Sequence, residues 1–103
     1  MKFNNRRGHV RERDVNGGSQ HVFRFDNGYG ASVVCHQFSY GGDNGLWELA
    51  VTEYEGDDWS LTYKTPITQD VEGYLTHSDV MCLLNKIEKL PILDEDEYEV
   101  QDL

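Results

Sequence analysis

Asn27-Gly28 stands between two runs of β-formers, HVFRF (21–25) and GASVVCHQF (30–38), and this constrains the fold more than any other stretch. A type I′ turn needs positive φ at both central residues, which makes Asn-Gly between alternating apolar residues the strongest short-range hairpin signal. With Asn27 and Gly28 as the loop, Asp26 pairs with Tyr29, Phe25 faces Gly30 and Phe23 faces Ser32. The Phe25 ring then covers the space that Gly30 leaves.

Further strands follow from strict alternation. LWELAVTEY (46–54) sets Trp47, Leu49 and Val51 on one face and Glu48, Ala50 and Thr52 on the other. After the turn EGDD (55–58), WSLTYK (59–64) places Trp59, Leu61 and Tyr63 inward. SYGGDNG (39–45) is a loop longer than a tight hairpin requires. Pro66 is unfit for a central strand, so 65–76 is an extended connector with a short strand or turn near 67–74. Thr76 or Ser78 caps a helix over about 77–90, with Asp79 completing a capping box on Thr76. Val80, Leu83, Leu84, Ile87 and Leu90 form its apolar stripe, and Pro91 ends it.

The expected fold is α+β: a four-stranded antiparallel β-meander packed against one C-terminal amphipathic helix. Phe23, Phe25, Trp47, Leu49, Val51, Trp59, Leu61 and Tyr63 face the helix. Val22, Ala31, Val33, Cys35, Ala50 and Thr52 lie on the far face, apolar enough to carry a second contact. Residues 1–19, ending in NGGS, show no periodicity and are expected to be a flexible basic arm. Residues 20–91 form the single α+β domain, and 92–103 an acidic, disordered tail.

The chain of 103 residues carries 19 acids against 9 bases, a net charge of −10. Phosphate binding needs a basic footprint, so this total argues against direct nucleic-acid and anionic-membrane partners. Lys2, Arg6, Arg7, Arg11 and Arg13 concentrate at the start, and Asp94, Glu95, Asp96, Glu97, Glu99 and Asp102 at the end. No run reaches the roughly 18 apolar residues of a membrane span, and no signal peptide is evident. Cys35 and Cys82 share no metal-ligand spacing and read as free thiols, so the expected compartment is the cytoplasm.

Chemistry is sparse. His9, His21, His36 and His77 show no helical i, i+4 pair and no motif shared with a cysteine, so no metal site is expected. Cys35 and His36 are neighbours on a strand and point to opposite faces. GYGAS (28–32) precedes a strand and not a helix, unlike a dinucleotide fingerprint. Asp43 and Asn44 lack the alternating oxygens of a calcium loop. No carboxylate sits in an apolar run that would raise its pKa, so the chain is expected to be no enzyme and to need no cofactor.

FRFDNGYGASVV, SYGGDNGLWELAV and TPITQDVEGYLT ahead of a short helix resemble a group of small uncharacterised bacteriophage proteins, over residues 22–90. That resemblance implies a setting in the host cytoplasm and a compact binding role, with no named reaction. Two function classes follow. The first is an acidic interaction protein that binds and inhibits a host or defence protein with a basic surface, presenting a nucleic-acid-like charge array through Glu48, Glu53, Asp57 and Asp58. The second is a small-molecule or nucleotide-binding or sequestering protein whose pocket uses Tyr29, Tyr40, Trp47 and Trp59 beside the 41–45 glycines, including across an oligomer interface.

Overall fold

Asn-Gly occurs at 16–17 as well as at 27–28, and the chain reverses at both by different geometries. In the computed structural model, which describes residues 3–62, 65 and 71–92, strand β1 (His9–Val15) returns as β2 (Gly18–Arg24). Val15 faces Gly18, leaving Asn16 and Gly17 as the loop with φ of 49° and 81°. Two positive values in a two-residue loop mark a type I′ turn. β2 continues into β3 (Tyr29–Cys35) through Phe25, which bonds across to Tyr29, and a loop of three residues, Asp26 to Gly28. The Phe25 N–H donates to Tyr29 O at 2.8 Å and the Gly28 N–H to Phe25 O at 3.2 Å. Gly28 alone of these has positive φ, 90°, so the connection is a turn closed by a glycine bulge.

That extra loop residue corrects the expected register. Phe23 faces Ala31 and Arg24 faces Gly30. A slip of one residue exchanges the faces of a strand. Ala31 and Val33, expected on the far face, are therefore buried under the helix beside Phe23 and Phe25. Gly30 is covered by the Tyr54 ring and not by Phe25, since a Cβ at position 30 would strike Tyr54 and the Phe23 carbonyl.

Strand β4 (Trp47–Glu55) pairs with β3 on one side. Its other side is shared by β5 (Asp58–Leu61), opposite Thr52–Glu55, and β6 (Glu72–Leu75), opposite Trp47 and Leu49. Among the described residues the sheet thus has six antiparallel strands where four were expected. β1 escaped sequence reading because Arg11 and Arg13 lie on one face and Glu12 and Asp14 on the other, with no apolar alternation. Charged residues are how an exposed edge strand avoids unwanted pairing. The expected flexible arm is corrected accordingly: Phe3, in a 3-10 turn spanning Phe3–Asn5, is 3% exposed within the core.

Trp59 and Leu61 oppose Tyr54 and Thr52, on the face away from the helix, and Leu61 is exposed. They leave the expected core for that reason. Tyr63, residues 66–70 and the acidic tail from residue 93 lie outside the described residues.

Helix α1 (His77–Glu88) begins at Thr76, whose hydroxyl accepts from the Asp79 N–H at 3.1 Å while Asp79 accepts from the Thr76 N–H at 3.0 Å. Val80, Leu84 and Ile87 meet Phe23, Ala31, Val33, Leu49 and Val51 in one core. At about 1.5–3 kcal/mol for each large apolar side chain, this contact drives the fold. The architecture among the described residues is α+β, an antiparallel sheet covered on one face by the helix α1.

Candidate functional site

The four expected acidic contacts do not form one array. Glu48 points to the helix-free face and accepts from the Tyr40 N–H at 3.3 Å. Glu53 faces the helix side, opposite Tyr29 and Ser60. Asp57 and Asp58 sit at the tip of the β4–β5 turn, where Asp57 approaches Arg24 at 3.7 Å. Along β4 the tip lies about 23 Å from Glu48, at roughly 3.3 Å per residue. The four expected pocket aromatics separate too. Tyr29 and Trp47 pack on the core, Trp59 is on the opposite face, and Tyr40 stands exposed in a loop.

Tyr40 does gain a partner that the sequence did not single out. The loop after β3 is tied internally: Ser39 Oγ accepts from the His36 N–H at 2.9 Å and donates to His36 O at 2.9 Å. A 3-10 turn, Gly42–Asn44, follows between Gly41 and Gly45, whose φ values are 88° and 73°. Both glycines occupy a conformation that side chains resist. Gly41 must also lack a Cβ because it lies against Tyr74. The Tyr74 N–H donates to Tyr40 O at 3.1 Å, so β6 and the glycine loop form one platform. Tyr40 and Tyr74 are 59% and 62% exposed, and Phe38 in the same loop is 73% exposed. Tyr74 has φ 57°, a left-handed conformation that is costly for a bulky residue and tends to mark functional positions. Asp43, Glu48, Glu72 and Asp79 belong to the same segments. No Lys or Arg occurs between Arg24 and Lys64, or between Lys64 and Lys86.

A second feature joins residues from the expected arm. Phe3 stacks on His77 at 4.2 Å between centroids and meets Trp47 and His21 edge-on at 4.9 and 5.2 Å. His21 Nδ1 and His9 Nε2 share a hydrogen bond of 3.0 Å. A cleft of about 570 Å³ opens here, walled by Phe3, Trp47, His21, His77 and Glu12. Burial pushes the His21 pKa below its usual range; the Glu12 carboxylate, 3.5 Å away, opposes this and His9 reinforces it. His77 Nε2 is buried with no hydrogen-bond partner in the structure. Imidazole nitrogens at such a cleft suit hydrogen bonding to a small polar molecule. Among the described residues no group of His, Cys, Asp and Glu could hold a metal ion. The alternation of His21 with Phe23 and Phe25 signalled its inward direction, but Phe3 and Glu12 lay in a segment without periodicity.

Comparison with protein-family models, with curated proteins and with solved structures gives no match. Among the described residues no helix is long and apolar enough to cross a membrane.

Proposed function

We propose that the chain is a protein-interaction module that recognises a basic polypeptide surface through the platform of Tyr40, Tyr74 and Glu48. The observation that carries this reading is Tyr74, an exposed aromatic residue kept in a left-handed conformation beside a second exposed tyrosine. Tyrosine supplies large contact area at small conformational cost, and interface anchors are enriched in it. Local charge selects the partner's sign, because acids surround the platform in segments without a base. Binding of this kind fits an inhibitor of a host or defence protein in an infected cell, as the resemblance to small phage proteins implies.

Titrating isotope-labelled protein with an arginine-rich peptide tests the reading. Amide shifts should concentrate at residues 38–48 and 72–76, and Tyr40→Ala with Tyr74→Ala should abolish them. Shifts spread evenly over the acidic surface would reject the platform as the site.

The cleft at Phe3 and Trp47 favours a second reading, a small-ligand binder, because two imidazoles, His21 and His77, line it beside those rings. Native mass spectrometry of the purified protein separates the two: a retained small molecule supports the cleft, and a bare chain removes it.

A further inference from the structure

Total charge conceals a segregation by face. Register places Arg11 and Arg13 of β1 and Arg24 of β2 on the helix-free face, with Tyr54 and Trp59 at its other side. Glu12 and Asp14, the acids of β1, turn to the helix side instead. Arg24 lies 4.5 Å over the Tyr54 ring, and the Tyr54 hydroxyl donates to Phe23 O at 3.2 Å. Arg11, opposite Val22, lies on the same face two residues along β2 from Arg24. Arg13 Nε donates to Gln20 Oε1 at 2.5 Å, and Gln20 Nε2 donates to Ser32 Oγ at 2.8 Å, a chain of contacts that fixes the third guanidinium across three strands. Arg11 and Arg13 are exposed and make no ion pair among the described residues. The two carboxylates nearest this face are engaged, Glu48 by the Tyr40 N–H and Asp57 by Arg24.

We infer that this face is a platform for single-stranded nucleic acid. Phosphates would meet Arg11, Arg13 and Arg24, and a base would stack on the half-exposed Trp59 beside Tyr54. Charge complementarity selects a polyanion, and arginine with adjacent aromatic rings selects one that carries flat bases. The exposed edge strand offers such a nucleic-acid strand a track; Arg11 and Arg13 repeat along it at about 7 Å. The net charge of −10 does not forbid this contact, because charges beyond about 8 Å are largely screened at physiological salt. Its residues, Arg11, Arg13, Arg24 and Trp59, are none of those of the Tyr40–Tyr74 platform, so either assignment can fail alone.

The test is fluorescence anisotropy with a labelled oligothymidylate of about 12 nucleotides, within the span of one such platform. Binding should appear at low salt, with log K falling against log salt at a slope of about −2 for three phosphate contacts on a single strand. Arg11→Glu with Arg13→Glu should weaken it more than tenfold. Trp59→Ala, on an edge strand with a half-exposed ring, should weaken it about tenfold. Tyr40→Ala with Tyr74→Ala should leave it unchanged. Circular dichroism of each variant confirms the fold, and Arg13→Gln gives a milder second reading of the same contact. The inference is overturned if the oligonucleotide does not bind at low salt. It is equally overturned if folded arginine variants bind like the parent, or if polyglutamate competes as well as unlabelled oligothymidylate.

Discussion

Asn27 shows how much one side chain carries in this molecule. Its amide nitrogen donates to the carbonyls of Ile87, Glu88 and Leu90 at 2.8, 3.2 and 3.1 Å, while its oxygen accepts from the Tyr29 N–H at 3.0 Å. The first hairpin of the core thereby caps the C-terminus of the only α-helix among the described residues, whose last carbonyls need partners. Asn27→Ala should cost about 1–3 kcal/mol, the penalty for leaving buried polar groups unmatched, read as a lower urea midpoint with unchanged slope. Gly28→Val should cost about 1 kcal/mol or more, since a β-branched residue resists a φ of 90°. His21 adds a pH dependence. Folding favours its neutral form against an ordinary pKa of 6.5, so its contribution is complete above that value and is lost as pH falls through the lower folded one. The groups facing it are His9 and Glu12, with the Phe3 and Trp47 rings. Urea midpoints should therefore hold above about pH 6.5 and decline as pH falls below it, and His21→Phe should flatten that decline. The turn at Asn27-Gly28 was legible in the sequence. Its loop length was not, because the same dipeptide serves two-residue and three-residue hairpins, and nothing local reports that the Asn27 amide reaches a helix sixty residues later.

Among the elements, β1 illustrates protection of an edge. Two copies pairing antiparallel through β1 would extend one continuous sheet and keep their faces aligned. Arg11 and Arg13 would then oppose arginines, and Glu12 and Asp14 would oppose acids, which is destabilising for directly opposed residues. Replacing all four by Thr and Val in alternation should make the chain self-associate in sedimentation experiments at concentrations where the parent does not. The helix offers a simpler check. Cys82 is exposed and Cys35 half-buried, so a thiol reagent should modify Cys82 first on the native protein. Faster reaction at Cys35 would contradict the helix phase. β2, β3, β4 and α1 were legible because each has one buried face and shows its period. β1 was not, since an edge strand polar on both faces carries no period to detect, and β6 was legible only as a short strand or turn near 67–74, four residues being too few to show a period. The Tyr40–Tyr74 platform shared that fate: Tyr40 was visible as a loop aromatic, but its partner lies in β6, a strand of four residues with glycine inside it.

At the scale of the molecule, the charges divide. Five arginines fall between residues 6 and 24, whereas seven acids and no base fall between residues 25 and 63. Arg6 belongs to the basic side yet is nearly buried. It bonds Asn85 at 2.7 Å and Glu88 at 2.9 Å and lies 5.2 Å over the Phe25 ring. Burial alone would raise the Glu88 pKa, but the hydrogen bonds and charges of Arg6 and Arg7 prevail and hold it low. That carboxylate's support is complete above the ordinary Glu value and fades as pH falls through the lower folded one. Arg6→Ala should release the segment from Phe3 to Val15 as a unit, seen as faster hydrogen exchange in β1 and along the β2 edge while β3, β4 and α1 keep their protection. Exchange raised uniformly across the sheet would show that the segment has no independent stability.

Three contacts tie residues 3–27 to residues 77–90: Phe3 on His77, Arg6 on Asn85 and Glu88, Asn27 on Ile87 to Leu90. A ribosome makes the chain from the N-terminus, so β1 to β4 emerge and pair before these partners are available. During synthesis the nascent sheet must wait with one face bare, and β1 cannot be locked until α1 is free of the exit tunnel. Docking of the helix then covers that face. A message truncated before the codon for Asn85 would produce nearly the whole sheet and still yield a chain for the proteases.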